Sequence, residues 1–218
     1  MKGKSYNIYF PKTVTIGCLT YKVKYFKFSE HARNDGLFLG ASSVIKITKE
    51  NSLQYAAYIY LHEIFHAIDY VYFTSSLDED TIIILSKSWY NFIVSNIFDF
   101  SKYEIPKFVD ICGFKYKVGF SDIINKQSLS TVLSSVNTSD QIILVDDSVI
   151  QDNEKPSKER LISAFLESVS VAMATEYNYK NNECMDGMVY SQLGNAVYQV
   201  FRDNKIDKLI KQVARSVV

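Results

Sequence analysis

The chain has no surplus of charge of either sign: 24 lysines and arginines stand against 24 aspartates and glutamates. Without a basic excess it has little to neutralise a phosphate backbone, so nucleic acid is not expected as a partner. Three cysteines, with no CxxC spacing, are too few for a disulfide framework and suit a reducing, cytoplasmic setting. Three prolines and 8 glycines leave little material for long linkers. The opening Met1-Lys2-Gly3-Lys4-Ser5-Tyr6 has charge but no apolar stretch behind it, so no signal peptide is expected. No apolar run approaches the roughly 20 residues of a membrane span. What the chain does have is bulk for a core: 47% hydrophobic residues, with 16 Tyr and 14 Phe, which excludes disorder. It has only three histidines.

The sequence nearly repeats itself. Residues 10–25 (FPKTVTIGCLTYKVKY) and 105–120 (IPKFVDICGFKYKVGF) align without a gap at seven identities in sixteen. Each is followed by a β-rich stretch, 36–48 and 141–146, then an apolar helix candidate, 53–73 and 159–179, then a second helix, 79–98 and 186–203. A tandem duplication accounts for the matching order. The boundary falls near residue 101, giving units 1–101 and 102–218. Each reads as a small α+β unit, with Val14–Ile16 and Tyr21–Phe26 as a hairpin, Val44–Thr48 as a further strand, and Asn51 or Ser52 as the helix N-cap. Ile206, Leu209, Ile210 and Val213 recur at helical spacing among Lys and Arg, predicting an extra C-terminal amphipathic helix packed on the body.

Two of the three histidines, His62 and His66, flank Glu63 in the string HEIFH. On a helix, residues i and i+4 share a face, so both imidazoles can reach one metal ion. Glu63, next to His62, can take a proton from a water and act as general base. The surrounding Tyr58, Ile59, Leu61, Ile64, Phe65 and Ile68 predict a buried helix. Zinc in a catalytic site takes three protein ligands and leaves one position open. The third is expected from Glu79 or Asp80, at the start of the second helix; spacing does not choose between them, and one of the acids there serves as a cap. Asp69 shares the histidines' face and is expected to orient His66 through its second ring nitrogen.

The order Pro-x4-Ile-Gly-x3-Tyr-x-Val, then strands, then Leu-His-Glu-Ile-Phe-His-Ala-Ile, then an acidic pair before an Ile/Leu helix, resembles the short HExxH proteins of phages and prophages, which are similar to the ImmA/IrrE-type zinc metallopeptidases. The resemblance covers about residues 10–98 and, more weakly, 105–204. It implies a minimal zincin-like fold in each repeat, one Zn2+, and peptidase-like activity on a protein or peptide substrate. The ligands would be His62, His66 and Glu79 or Asp80, with Glu63 as base.

The second repeat departs from this pattern. With Glu167 placed against Glu63, Leu166 and Ser170 replace the two histidines and Met173 falls opposite Asp69. With Leu193 over Leu85, Gly187-Met188 replaces the acidic pair, although Glu183 and Asp186 lie nearby. The second half therefore reads as a pseudo-enzyme domain without metal ligands, packed on the first as a pseudo-dimer. His31 reads as a loop histidine. His31, Arg33, Tyr70 and Tyr72 are the alternatives for stabilising an oxyanion. Cys18, Cys112 and Cys184 read as small hydrophobes or turn residues. Two functions compete: a zinc-dependent peptidase, and a protein-binding or regulatory module whose zinc is structural or vestigial.

Overall fold

The computed structural model of the chain describes residues 10–26, 35–48, 52–96, 98–102, 104–120, 134–146, 157–177 and 187–216. His31, Arg33, Asn51, Glu183, Cys184 and Asp186 lie outside these residues. The first repeat contains β1 (Thr13–Ile16), β2 (Leu19–Phe26), β3 (Gly36–Leu39), β4 (Val44–Thr48), α1 (Leu53–Ile68) and α2 (Glu79–Ser95). The second contains β5 (Phe108–Ile111), β6 (Phe114–Phe120), β7 (Ser134–Asn137), β8 (Ile142–Val145), α3 (Lys158–Glu176) and α4 (Gly187–Asn204), and α5 (Ile206–Arg215) closes the chain. The class is α+β, with two four-stranded mixed sheets.

The strands follow from period-two patterning. Val14, Ile16, Tyr21, Val23, Ile45 and Ile47 are buried, while Thr13, Thr15, Lys22 and Lys24 are exposed. Both sheets have the same topology, in the orders β1-β2-β4-β3 and β5-β6-β8-β7. In each, the outer pairs are antiparallel and the central pair is parallel. The registers also match: Thr13 faces Lys22 as Phe108 faces Lys117, and Gly36 faces Ile47 as Ser134 faces Val145.

Helices α1 and α3 start alike. Ser52 accepts from the Tyr55 N–H, and Ser157 from the Arg160 N–H. Counting from these caps, most of the deeply buried apolar positions match: Tyr60 with Phe165, Leu61 with Leu166, Ile64 with Val169 and Ile68 with Met173. This register corrects the sequence alignment by one residue. Glu167 corresponds to His62, and the counterparts of Glu63, His66 and Asp69 are Ser168, Val171 and Ala174. Matching one glutamate to another had outweighed the cap and the buried stripe. Leu85 and Leu193 do correspond, and with them Ser86 and Gly194.

The two halves share one hydrophobic core, where Phe201 packs against Phe65, Trp89 and Phe100. Their polar contacts are reciprocal. Asn96, after α2, donates to the Asp110 carbonyl (2.8 Å) and accepts from the Asp110 N–H (2.7 Å). Asn204, at the end of α4, donates to the Thr15 carbonyl (2.7 Å) and accepts from the Thr15 N–H (2.8 Å). Thr15 and Asp110 occupy equivalent places on the edge strands β1 and β5, so each half satisfies edge backbone groups of the other. Helix α5 buries Ile206, Ile210 and Val213 and packs on both α1 and α2. Among the described residues no helix is long and apolar enough to cross a membrane.

Candidate metal centre

Helix α1 presents His62 and His66 one turn apart, with their Nε2 atoms 3.0 Å from each other. Glu79, the first residue of α2, turns its carboxylate back across them: Oε1 lies 3.2 Å from His62 Nε2, and Oε2 lies 3.2 Å from His66 Nε2. Ligand atoms at about 2.0–2.1 Å from a tetrahedral ion would lie about 3.3 Å apart. The three donors stand close to that spacing, and two imidazoles with a carboxylate suit a divalent transition metal. Among the described residues this is the one such group of metal-binding side chains. Asp80 is exposed and does not join it.

The environment prepares both histidines as ligands. Burial pushes each below the ordinary imidazole range, His62 to about 4, with the neighbouring His66 adding to the shift on His62. Burial thus favours the neutral imidazole, the form that binds a metal, at both. The tautomer of His62 follows from its hydrogen-bond network. Its Nδ1 lies 3.3 Å from Ser86 Oγ, whose hydrogen is donated to the Ile82 carbonyl at 2.6 Å. Ser86 thus accepts from Nδ1–H, leaving the Nε2 lone pair free for a cation held between it and Glu79.

Glu63 is 4% exposed. Burial, and then the nearby Glu79 carboxylate, push it up to about 8, against a hydrogen bond from the Phe38 N–H. Strand β3 lies directly over it. A Cβ on Gly36 would sit 2.2 Å from Glu63 Oε1 and 2.6 Å from Ile59 Cγ2, so no other residue fits there without displacing the Glu63 carboxyl. The groups border a cleft of about 620 Å³ that Tyr55, Tyr58, Phe38 and Ile83 also line.

Asp69 is differently employed from the sequence expectation. Its Oδ1 accepts from the backbone N–H groups of Ser76 and Leu77, 3.1 Å each, so the carboxylate organises the turn after α1 and acts on His66 through space. Tyr70 packs on Phe38 and Tyr72 donates to Gln199 Oε1 at 2.6 Å, and neither lines the cleft. The sequence reading missed Gly36, Ser86 and Tyr58. Tyr58 carried a signal, being one helical turn before His62. Ser86 and Gly36 carried none, because their roles depend on how α2 and β3 cross α1.

No family model matches the chain, and no curated protein or solved structure matches it.

Proposed function

We propose that the protein is a zinc-dependent hydrolase acting on peptide bonds of a protein or peptide, of the zincin-like kind that its HExxH segment resembles. The observation that carries this reading is the convergence of His62, His66 and Glu79 beside the buried Glu63 carboxyl at the edge of an open cleft. His62, His66 and Glu79 would hold the ion. When bound, zinc supplies Lewis-acid polarisation of a carbonyl and acidifies water. Glu63 takes the proton of the attacking water and returns it to the departing amine. A carboxyl pushed up to about 8 sits near neutral pH, where proton transfer in both directions is efficient, and a cation beside it favours the ionised form needed at the start. The second half serves as a non-catalytic companion packed as a pseudo-dimer, and the reciprocal Asn96 and Asn204 contacts support that arrangement. Free Cys18 and Cys112 fit a cytoplasmic location.

The test is metal content together with turnover. Full-length protein purified without added metal should carry about one zinc per chain, as one group of ligands requires. Glu63→Gln should keep that zinc and lose cleavage of a random-sequence peptide library by about 10²–10⁴-fold. Equal cleavage by the variant would defeat the mechanism. Zinc retained with no cleavage by the unmodified protein would instead favour the binding-module reading.

A further inference from the structure

The turn between α1 and α2 is built around one residue. After Ile68 the helix widens into a five-residue π turn, Asp69–Phe73, and the chain then passes through Thr74 and Ser75 in left-handed conformation, φ 55° and 58°. Neither is glycine, and for a β-branched threonine this backbone is a genuine outlier. Such strain persists only where the surroundings hold it. Here the holding group is Asp69. Its main-chain carbonyl accepts from the Thr74 N–H and from the Ser75 N–H (3.2 Å), and its Oδ1 accepts from the Ser76 and Leu77 N–H groups. Four consecutive backbone donors therefore end on one residue. The next residue, Asp78, caps α2 by accepting from the Thr81 N–H at 2.7 Å, and the one after it is Glu79.

Glu79 has a long side chain that is 60% exposed, so packing alone does not place it. The path of the turn does. We propose that Asp69 is a positioning residue for the third metal ligand: it fixes the Thr74–Leu77 turn so that α2 begins with the Glu79 carboxylate over His62 and His66. The second half agrees with this. Ala174 stands in place of Asp69 there, and Gly187 in place of Glu79. The proposal rests on the metal-site reading given above and adds to it the device that completes the site.

The experiment measures Zn2+ affinity by competition with a chromophoric chelator, using full-length protein. Asp69→Ala should weaken binding about 10–100-fold, the usual consequence of losing the partner that orients a ligand. Asp69→Asn keeps an oxygen that can accept both N–H bonds, and should bind nearly as well as the unmodified protein. Adding Asp69→Ala to Glu79→Ala should cause no further loss, because the turn then has no ligand to deliver. Three results would overturn the proposal: undiminished affinity in Asp69→Ala, an Asp69→Asn loss as deep as that of Asp69→Ala, or full additivity in the double variant. The last two would assign Asp69 to His66 instead. Circular dichroism checks folding, and Asp69→Ser stands in if the alanine variant does not fold. If the unmodified protein bound no zinc, the metal reading would fall and this one with it; if only the variants behaved unexpectedly, this one alone would fall.

Discussion

Where α2 crosses α1, the Ser86 side chain stands between the helices and touches the His62 ring; where α4 crosses α3, the same position is Gly194. A Cβ on Gly194 would lie 2.7 Å from the Glu167 nitrogen and 2.9 Å from its Cα, so the second helix pair is in backbone contact. A side chain in the place of Ser86 has no room at that crossing. The polar side chains of that region pair among themselves: Ser168 donates to Ser134 Oγ at 2.9 Å, and Ser134 to the Ala164 carbonyl at 2.6 Å. Ser134 is the counterpart of Gly36, and Ser168 that of Glu63. The first half thus keeps its helices apart and its polar atoms turned toward a cleft, and the second closes the gap and satisfies them internally. Strand order, helix caps and asparagine clamps survive in both. A fold and the chemistry placed on it are separable.

The sharpest way to break this comparison is to exchange ligands between the halves. His62→Glu puts the residue of the second half into the first, and zinc affinity should fall by more than about 100-fold, beyond the loss expected from an orienting partner. The reverse exchange, Glu167→His with Val171→His and Gly187→Glu to supply the third donor, should add no second zinc by elemental analysis, because the close α3–α4 backbone contact at Gly194 does not reproduce the helix spacing of the first half. A second equivalent would show that missing ligands alone separate the halves. Next comes the helix crossing itself. Ser86→Ala should weaken zinc binding about 10–100-fold while changing stability by about 1 kcal/mol or less. Gly194→Ala should do the opposite, lowering stability in urea melts by about 1–3 kcal/mol and leaving zinc affinity unchanged. Smaller effects are expected where the halves agree. Asn96→Ala should lower stability by about 1 kcal/mol and Asn204→Ala by less, because water can replace its exposed contacts with Thr15, and the two losses should add.

How much of this was written in the sequence depends on the range of the interaction. The repeat, the strands and the histidine pair of α1 were legible because period-two alternation, an N-cap serine and an i, i+4 spacing are local patterns. The candidate third ligand was narrowed to two adjacent acids. That Glu79 and not Asp80 meets the histidines follows from the course of the chain into α2, through a left-handed Thr74 and Ser75 that no propensity predicts. Gly36 and Gly194 were legible only as members of a β-rich stretch and a helix, because their meaning lies in a neighbour's atoms 2.2–2.7 Å from a hypothetical Cβ. The one-residue slip at Glu167 has a similar cause: identity favoured one register and burial another, and burial is a tertiary property.

The finest test concerns the two helix carboxyls, Glu63 and Glu167. Both are raised mainly by burial, Glu63 to about 8 with Glu79 adding to it, while a hydrogen bond from Ser191 opposes the shift at Glu167. A carboxyl whose folded pKa lies above its unfolded value of about 4.3 holds a proton in the native state that the unfolded chain has released. Between these values stability therefore falls as pH rises. In zinc-free, chelator-treated buffer, Glu63→Gln should melt close to the unmodified protein at pH 5 and above it at pH 8, by a few degrees if about 2–4 °C corresponds to each kcal/mol in a chain of this size. Glu167→Gln should show a shallower divergence, since its carboxyl is half-buried and has a hydroxyl partner. Adding zinc should narrow the gap for Glu63 alone, because a nearby cation favours the charged form of its carboxyl. Parallel melting curves for Glu63→Gln and the unmodified protein across that range would mean that β3 does not desolvate Glu63, and that the two helix carboxyls differ in position but not in environment.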